Sequence, residues 1–286
     1  MDNKEEEKET SDYFQHNGIP FISPLLSIEH FEWVKDFKMD QDTVFIITYP
    51  KSGTTWMQQI TSLILANGNI DSVKDKVLYE RAPWVEYVVF IPNCKDSQLI
   101  TSHLNYHMAP NALKNKIGKI IYVARNPKDV TVSFYHYHKF SNFLKKPKDF
   151  QHFLEQFVEG NVFYGSWFDH IREWYSHKDE LNMMFVTYED MQKDLRSMIE
   201  KVAIFLNKKL DGKTLESIMD HCTFKFMKEN PASNYQDALQ MFNTDCGSFY
   251  RKGVVGDWKN YFLVSQNEWF DSIYQERMAD FPVKFY

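Results

Sequence analysis

The stretch Thr43-Val-Phe-Ile-Ile-Thr-Tyr49 has a β-branched or aromatic side chain at every position and no charged face. Such a strand is stable only when both its faces are covered, as in a parallel sheet packed between helices. Parallel strands need helical crossovers, so strand and helix signals must alternate along the chain, and they do. After a break at Pro50–Gly53, residues 54–67 set Trp56, Ile60, Leu63 and Ile64 at helical spacing, with Gly68 as the expected C′ stop. Residues 98–101 and 119–124 predict two further strands. Asn126-Pro127 is an N-cap followed by a first-turn proline, which predicts a helix over 127–140. Amphipathic helices are expected over 150–158 and 166–177, a buried strand over 182–187, and one long helix over 189–206. The fold class is therefore α/β, a doubly wound parallel sheet with helices on both faces. No repeat or long Gly/Ser/Pro linker divides the 286 residues, so residues 13–286 read as one domain. Ligands of such sheets bind beyond the carboxyl ends of the strands. That rule directs attention to residues 49–55, 101–103 and 125–133 and to Tyr188.

Charge narrows the partners. The net charge is −6, and residues 1–12 alone carry −4, through Asp2, Glu5, Glu6, Glu7, Glu9 and Asp12 against Lys4 and Lys8. Those residues read as a solvated, disordered acidic tail. The nearly neutral remainder argues against nucleic-acid binding, which needs a broad positive surplus. Three cysteines without a CxxC pair fit a reducing compartment. The acidic start is no signal peptide, and no apolar run approaches the roughly 20 residues that span a bilayer. The expectation is a cytoplasmic protein that does not engage membranes. Aromatic residues make up 16% of the chain, a surplus suited to lining a ligand pocket.

Between the first buried strand and its helix lies Tyr49-Pro-Lys-Ser-Gly-Thr-Thr-Trp56. Gly53 lets the backbone approach an oxyanion, and the N–H groups of the helix start point at it. Ser52, Thr54 and Thr55 add hydroxyl donors, and Lys51 adds a point charge. A Walker A loop needs its lysine after the second glycine; here the lysine precedes the glycine. A second basic segment, Arg125 with Ser133 further along the helix, follows another strand end. A third is Arg251-Lys252-Gly253, a mobile-looking loop with two charges and an approachable backbone. A nucleotide phosphorylated at both ends of its ribose needs two separate anion sites of this kind.

Three of these segments, in order, resemble the cytosolic sulfotransferases: Tyr49–Trp56, Tyr122-Val-Ala-Arg-Asn-Pro-Lys-Asp-Val130 with Ser133, and Arg251-Lys-Gly-Val-Val-Gly-Asp-Trp-Lys259. Tyr188-Glu-Asp-Met191 and Phe224-Lys-Phe-Met-Lys-Glu-Asn-Pro231 extend the resemblance, which covers roughly residues 18–286. It implies sulfuryl transfer from 3′-phosphoadenosine-5′-phosphosulfate to a small lipophilic alcohol, phenol, steroid or amine, without a metal. It implies that Lys51, Ser52, Gly53, Thr54 and Thr55 hold the 5′ side of the donor. Arg125, Ser133, Arg251, Lys252 and Gly253 would hold the 3′-phosphate. Trp56 and Phe224 would flank the adenine, with Tyr188, Cys222, Thr223, Met227, Phe249 and Tyr250 completing the donor site. His103 in Thr101-Ser102-His103 becomes the general base, its near-neutral pKa suited to taking the acceptor's proton. Lys51 becomes the cation that stabilises the departing phosphate.

Two departures from the family pattern stand out. Some members carry Lys-Thr-His where Thr101-Ser102-His103 stands; the absence of that lysine resembles the steroid- and amine-directed branches. The family's dimer stretch is represented by Lys259, Val264 and Glu268, but Leu263 replaces a threonine, so a homodimer through Lys259–Glu268 is an open expectation. Trp84, Tyr87, Thr101, Ser102, Phe140, Phe143 and Phe242 are candidate acceptor contacts, and residues 235–249 read as a lid. Two alternatives remain at this level: a small-molecule kinase using ATP, and a non-catalytic nucleotide-binding protein of the same fold.

Overall fold

The computed structural model describes residues 12–23 and 25–285. Its centre is a four-stranded parallel sheet of β3 (Val44–Thr48), β4 (Leu99–Ser102), β5 (Lys119–Ala124) and β6 (Met183–Thr187) in the order β4-β3-β5-β6. In register, Val44 pairs with Leu99 on one side and Lys119 on the other, and Ile120 pairs with Met183.

Alternation along each strand sends neighbouring side chains to opposite faces. Val44, Ile46, Leu99, Ile121, Val123 and Val186 pack with Met57, Ile60, Leu63 and Ile64 of the Thr54–Leu65 helix and with Met198, Ile199 and Val202 of the Leu195–Phe205 helix. Phe45, Ile47, Ile100, Ile120 and Tyr122 face the Pro127–Phe140, Phe150–Glu159 and Trp167–Ser176 helices through Phe134, Phe153, Phe157, Phe168 and Trp174. Each fully buried side chain of this size contributes about 1.5–3 kcal/mol. Two covered faces therefore fix where these strands lie, as their uninterrupted apolar character predicts. The carboxyl ends of β3, β4 and β5 open on one edge, where Lys51, His103 and Arg125 follow directly.

Three expectations need correction. The single helix over 189–206 is two, Tyr188–Lys193 and Leu195–Phe205. Asp194 stands between them, and its carboxylate caps the second helix by accepting from the Ser197 N–H at 3.0 Å. Gly68 is not the C′ residue of the Thr54–Leu65 helix. Asn67 takes the left-handed position at φ 52°, a conformation asparagine tolerates, and the Gly68 N–H closes the turn onto the Leu63 carbonyl. Unforeseen is the antiparallel hairpin of β1 (Asp12–His16) and β2 (Ile19–Ser23), turned at Asn17-Gly18. Of the expected acidic tail, residues 1–11 lie outside the described residues, whereas Asp12 opens β1.

Candidate active site

The loop after β3 turns through two left-handed residues, Lys51 at φ 68° and Gly53 at φ 106°. A Cβ on Gly53 would stand 2.8 Å from the Tyr188 ring, so glycine is required both by conformation and by space. The hydroxyl of Ser52 is buried and has no protein partner, and Lys51 belongs to no ion pair among the described residues. Its ammonium lies 4.4 Å from the centroid of Tyr137 and 4.8 Å from that of Phe249. Burial first, then the charges of Arg125 and Arg251, lowers the Lys51 pKa to about 7. A lysine in that condition gains strongly from a bound anion. Thr55 is half-buried in the first turn of the helix, but Thr54 turns inward, its hydroxyl 2.7 Å from that of Thr48.

Arg125 links this loop to the third basic segment. Its guanidinium donates to the carbonyls of Lys51 and Val254, both at 3.1 Å, and lies 4.2 Å from the Tyr188 ring centroid, while its buried Nε has no partner. Ser133 is half-buried on the helix that Asn126 caps. The Arg251–Gly253 loop is not the mobile element expected. Both charges are ion-paired to Asp257 at 2.6 Å, and the Gly253 carbonyl accepts from Gln192. Gly253 has φ 66° and lies flat against Phe224, whose Cδ2 would be 2.2 Å from an added Cβ. The basic segments thus converge from three elements, as a doubly phosphorylated nucleotide demands.

Between them lie the aromatic residues. The Trp56 indole N–H donates to the Cys222 carbonyl at 2.7 Å, which brings the turn preceding Phe224 alongside Trp56. Phe224 is 36% exposed, the most open of these rings. Thr223 caps the short Phe224–Glu229 helix and has its hydroxyl engaged locally, while Met227 and the Cys222 thiol are buried beneath. The Tyr250 hydroxyl donates to the Ser233 carbonyl.

His103 follows β4 with its Nδ1 2.6 Å from the Thr48 carbonyl. Only an N–H can donate to a carbonyl, so Nδ1 carries the proton and Nε2 holds the lone pair. The expected near-neutral pKa is not found: burial, reinforced by His170 and Lys51, lowers it to about 3 against the opposing Thr48 bond. The ring is neutral throughout the physiological range, ready to accept a proton and costly to leave protonated. Its backbone is held by two side chains that sequence reasoning missed. The His103 N–H donates to Glu86 Oε1 at 2.7 Å, and His170 Nε2 lies 3.1 Å from the His103 carbonyl. Sequence shows Glu86 only as an isolated acid in Ala82-Pro-Trp-Val-Glu-Tyr87, with nothing local to mark its partner.

The acceptor candidates divide. Trp84 lies 4.4 Å from the His103 ring and 5.7 Å from Tyr87. Phe140 stacks on Phe242 at 4.6 Å, and Phe143 and Phe249 lie 6.4 and 5.9 Å from Phe242. The 235–249 segment is latched to the helix end, with the Asn243 N–H donating to the Phe140 carbonyl at 2.7 Å. Thr101 and Ser102, by contrast, are wholly interior. The Thr101 hydroxyl donates to the Ala82 carbonyl and accepts from Gln58, and the Ser102 hydroxyl accepts from Leu104. Neither hydroxyl is offered to an acceptor. Among the described residues, no group of three or more His, Cys, Asp or Glu could hold a metal ion, and no helix is long and apolar enough to cross a membrane.

A parallel sheet carrying an anion loop, a second set of cations and a neutral histidine at its carboxyl edge is the equipment of a group-transfer enzyme using a doubly phosphorylated nucleotide. The sulfotransferase-domain family model matches residues 41–282, and the chain belongs to that family. It is 44% identical to the amine sulfotransferase of Oryctolagus cuniculus over 274 residues, covering 94% of this chain and 91% of that one. It is 42% identical to the 3-beta-hydroxysteroid sulfotransferase of Cavia porcellus, covering 94% and 95%. A solved structure of mouse sulfotransferase SULT7A1 complexed with PAP superimposes with a TM-score of 0.77 at 32% identity, covering 94% of this chain and 96% of that one. The chain is an enzyme that transfers a sulfuryl group from 3′-phosphoadenosine-5′-phosphosulfate to a small acceptor. The unpartnered Ser52 hydroxyl and Arg125 Nε suit that donor, and a kinase reading is not favoured.

Proposed function

We propose that this enzyme sulfonates a hydroxyl or amine on a flat lipophilic acceptor, with His103 as general base and Lys51 stabilising the leaving phosphate. The observation that carries the reading is the His103 tautomer: Nδ1–H bound to the Thr48 carbonyl leaves Nε2 as an acceptor beside Trp84. Sulfuryl transfer is an in-line displacement in which charge develops on the departing oxygen. The acceptor oxygen or nitrogen forms the new bond to sulfur as the bond from sulfur to the donor's phosphate oxygen breaks. The acceptor's proton passes to Nε2. Lys51, Ser52 and Thr55 hold the 5′ side, and Arg125, Ser133, Arg251, Lys252 and Gly253 hold the 3′-phosphate. Trp56 and Phe224 stack on the adenine. Trp84, Tyr87, Phe140, Phe143 and Phe242 offer apolar area without a fixed polar code, so selection is by shape and hydrophobicity.

Named relatives act on amines and on 3-beta-hydroxysteroids, which supports lipophilic amines and steroid-like alcohols over simple phenols. The test is a labelled-donor assay over phenols, steroids, amines, sugars and tyrosyl peptides; sugars or peptides as best substrates would sink the reading. We also assign the enzyme to the cytoplasm and to a homodimer formed through Lys259–Glu268. Leu263 and Val264, 65% and 75% exposed, are large apolar side chains left uncovered there. Sedimentation of Val264→Glu beside the unaltered chain checks the dimer; equal masses would refute it.

A further inference from the structure

Two carboxylates, neither among the residues assigned above, frame the basic loop. Asp257 has a side chain only 3% exposed and accepts from Arg251 and Lys252 at 2.6 Å and from Asn260 at 2.9 Å. One carboxylate thereby sets a guanidinium and an ammonium side by side. Those bonds outweigh the cost of burial and hold its pKa down to about 2, so the clamp stays ionised across neutral pH. Asp257 is itself carried by a turn with a separate anchor. Asp129, on the helix after Arg125, accepts from the Gly256 N–H at 2.7 Å and the Trp258 N–H at 2.9 Å. Arg125, four residues earlier, donates to the Val254 carbonyl. The cations after β5 and those of the distant loop therefore belong to one rigid frame built on two buried acids.

We propose that Asp257, carried by Asp129, is a positioning residue of the 3′-phosphate subsite, fixing Arg251 and Lys252 at the spacing that subsite needs. The inference rests on the donor-site reading above. A carboxylate beside an anion site has two opposed effects. Its charge repels the phosphate, but Arg251 and Lys252 are 21% and 44% exposed, so solvent screens that repulsion. Its bonds order two flexible side chains before binding, and ordering a long side chain at the moment of binding costs roughly tenfold in affinity. Positioning should win.

The test is calorimetric titration of the full chain with adenosine 3′,5′-bisphosphate and with adenosine 5′-monophosphate. Asp257→Asn keeps one acceptor oxygen and so frees one of the two cations; it should weaken the bisphosphate by about tenfold, one ordered side chain's worth, and leave the monophosphate unchanged. Unchanged or tighter bisphosphate binding would overturn the proposal, and so would equal loss of both nucleotides, the mark of a general structural role. If the unaltered chain does not prefer the bisphosphate, the donor-site reading itself fails, a result visible before any variant is made. Should Asp257→Asn not fold, Asp129→Asn keeps the clamp but frees its turn. It must show the same selective loss for the proposal to stand.

Discussion

At the scale of single residues the site depends on two groups moved away from their ordinary ionisation. His103 is held neutral by burial and Lys51 is lowered to about 7. With its pKa lowered to about 3, His103 contributes no inflection to a neutral-range pH profile. Lys51 does: its cation is present below pH 7 and is lost as the pH rises through it. With a neutral alcohol as acceptor, kcat/KM for the donor should therefore be flat on the acid side and fall above about pH 7. Once the anionic donor is bound, Lys51 holds its proton more tightly, so the kcat limb should lie at higher pH. Lys51→Arg, which cannot deprotonate, should remove the alkaline limb whatever its effect on rate. An unshifted limb in that variant would assign the titration elsewhere. His103→Ala should lower kcat by roughly 100- to 10,000-fold while nucleotide affinity measured by calorimetry stays near the original, because a base acts in the transition state. More than half the activity retained would remove His103 from the role.

At the scale of elements, Asp194 illustrates how a local bond overrides periodicity. Apolar spacing runs on through 189–206, yet the Asp194 carboxylate offers the Ser197 N–H a better partner than a continued helix would. Asp194→Ala should destabilise the fold, read as a lower urea midpoint with unchanged slope. No change would mean that packing alone holds the break. The same contrast explains what was legible. Residues 44–48, 119–124 and 127–140 follow from apolar runs and capping signals that are local in sequence, as does the Lys51–Trp56 loop. Thr101 and Ser102 look like site residues because they precede His103, but strand alternation turns their side chains into the interior. Glu86 acts through a partner that only folding brings near, the His103 backbone, and Asp257, although its cations are close in sequence, depends on a turn held by the distant Asp129. The Asn17-Gly18 turn, by contrast, was a readable hairpin signal.

For the whole molecule the consequence is that donor binding and folding stability are one measurement. The proposed anion-binding groups come from the loop after β3, the segment after β5 and the 251–253 loop, widely separated along the chain. A ligand that engages all three must stabilise the fold by an amount set by its affinity. At a hundredfold excess over Kd that is about 2.7 kcal/mol. For a chain of 286 residues it amounts to a rise in Tm of roughly 4–5 °C. Adenosine 3′,5′-bisphosphate should give that shift. ATP, with the same formal charge but none of it at the 3′ position, should give a much smaller one at equal concentration. A purely charge-driven association would give equal shifts, since the two nucleotides carry the same formal charge. Raising the salt separates the two further. The exposed side chain of Lys252 is screened, whereas the buried groups Ser52 and Arg125 are not, so the bisphosphate shift should shrink only in part. An ATP shift equal to that of the bisphosphate would show that the cations after β5 and in the 251–253 loop do not form a separate phosphate site.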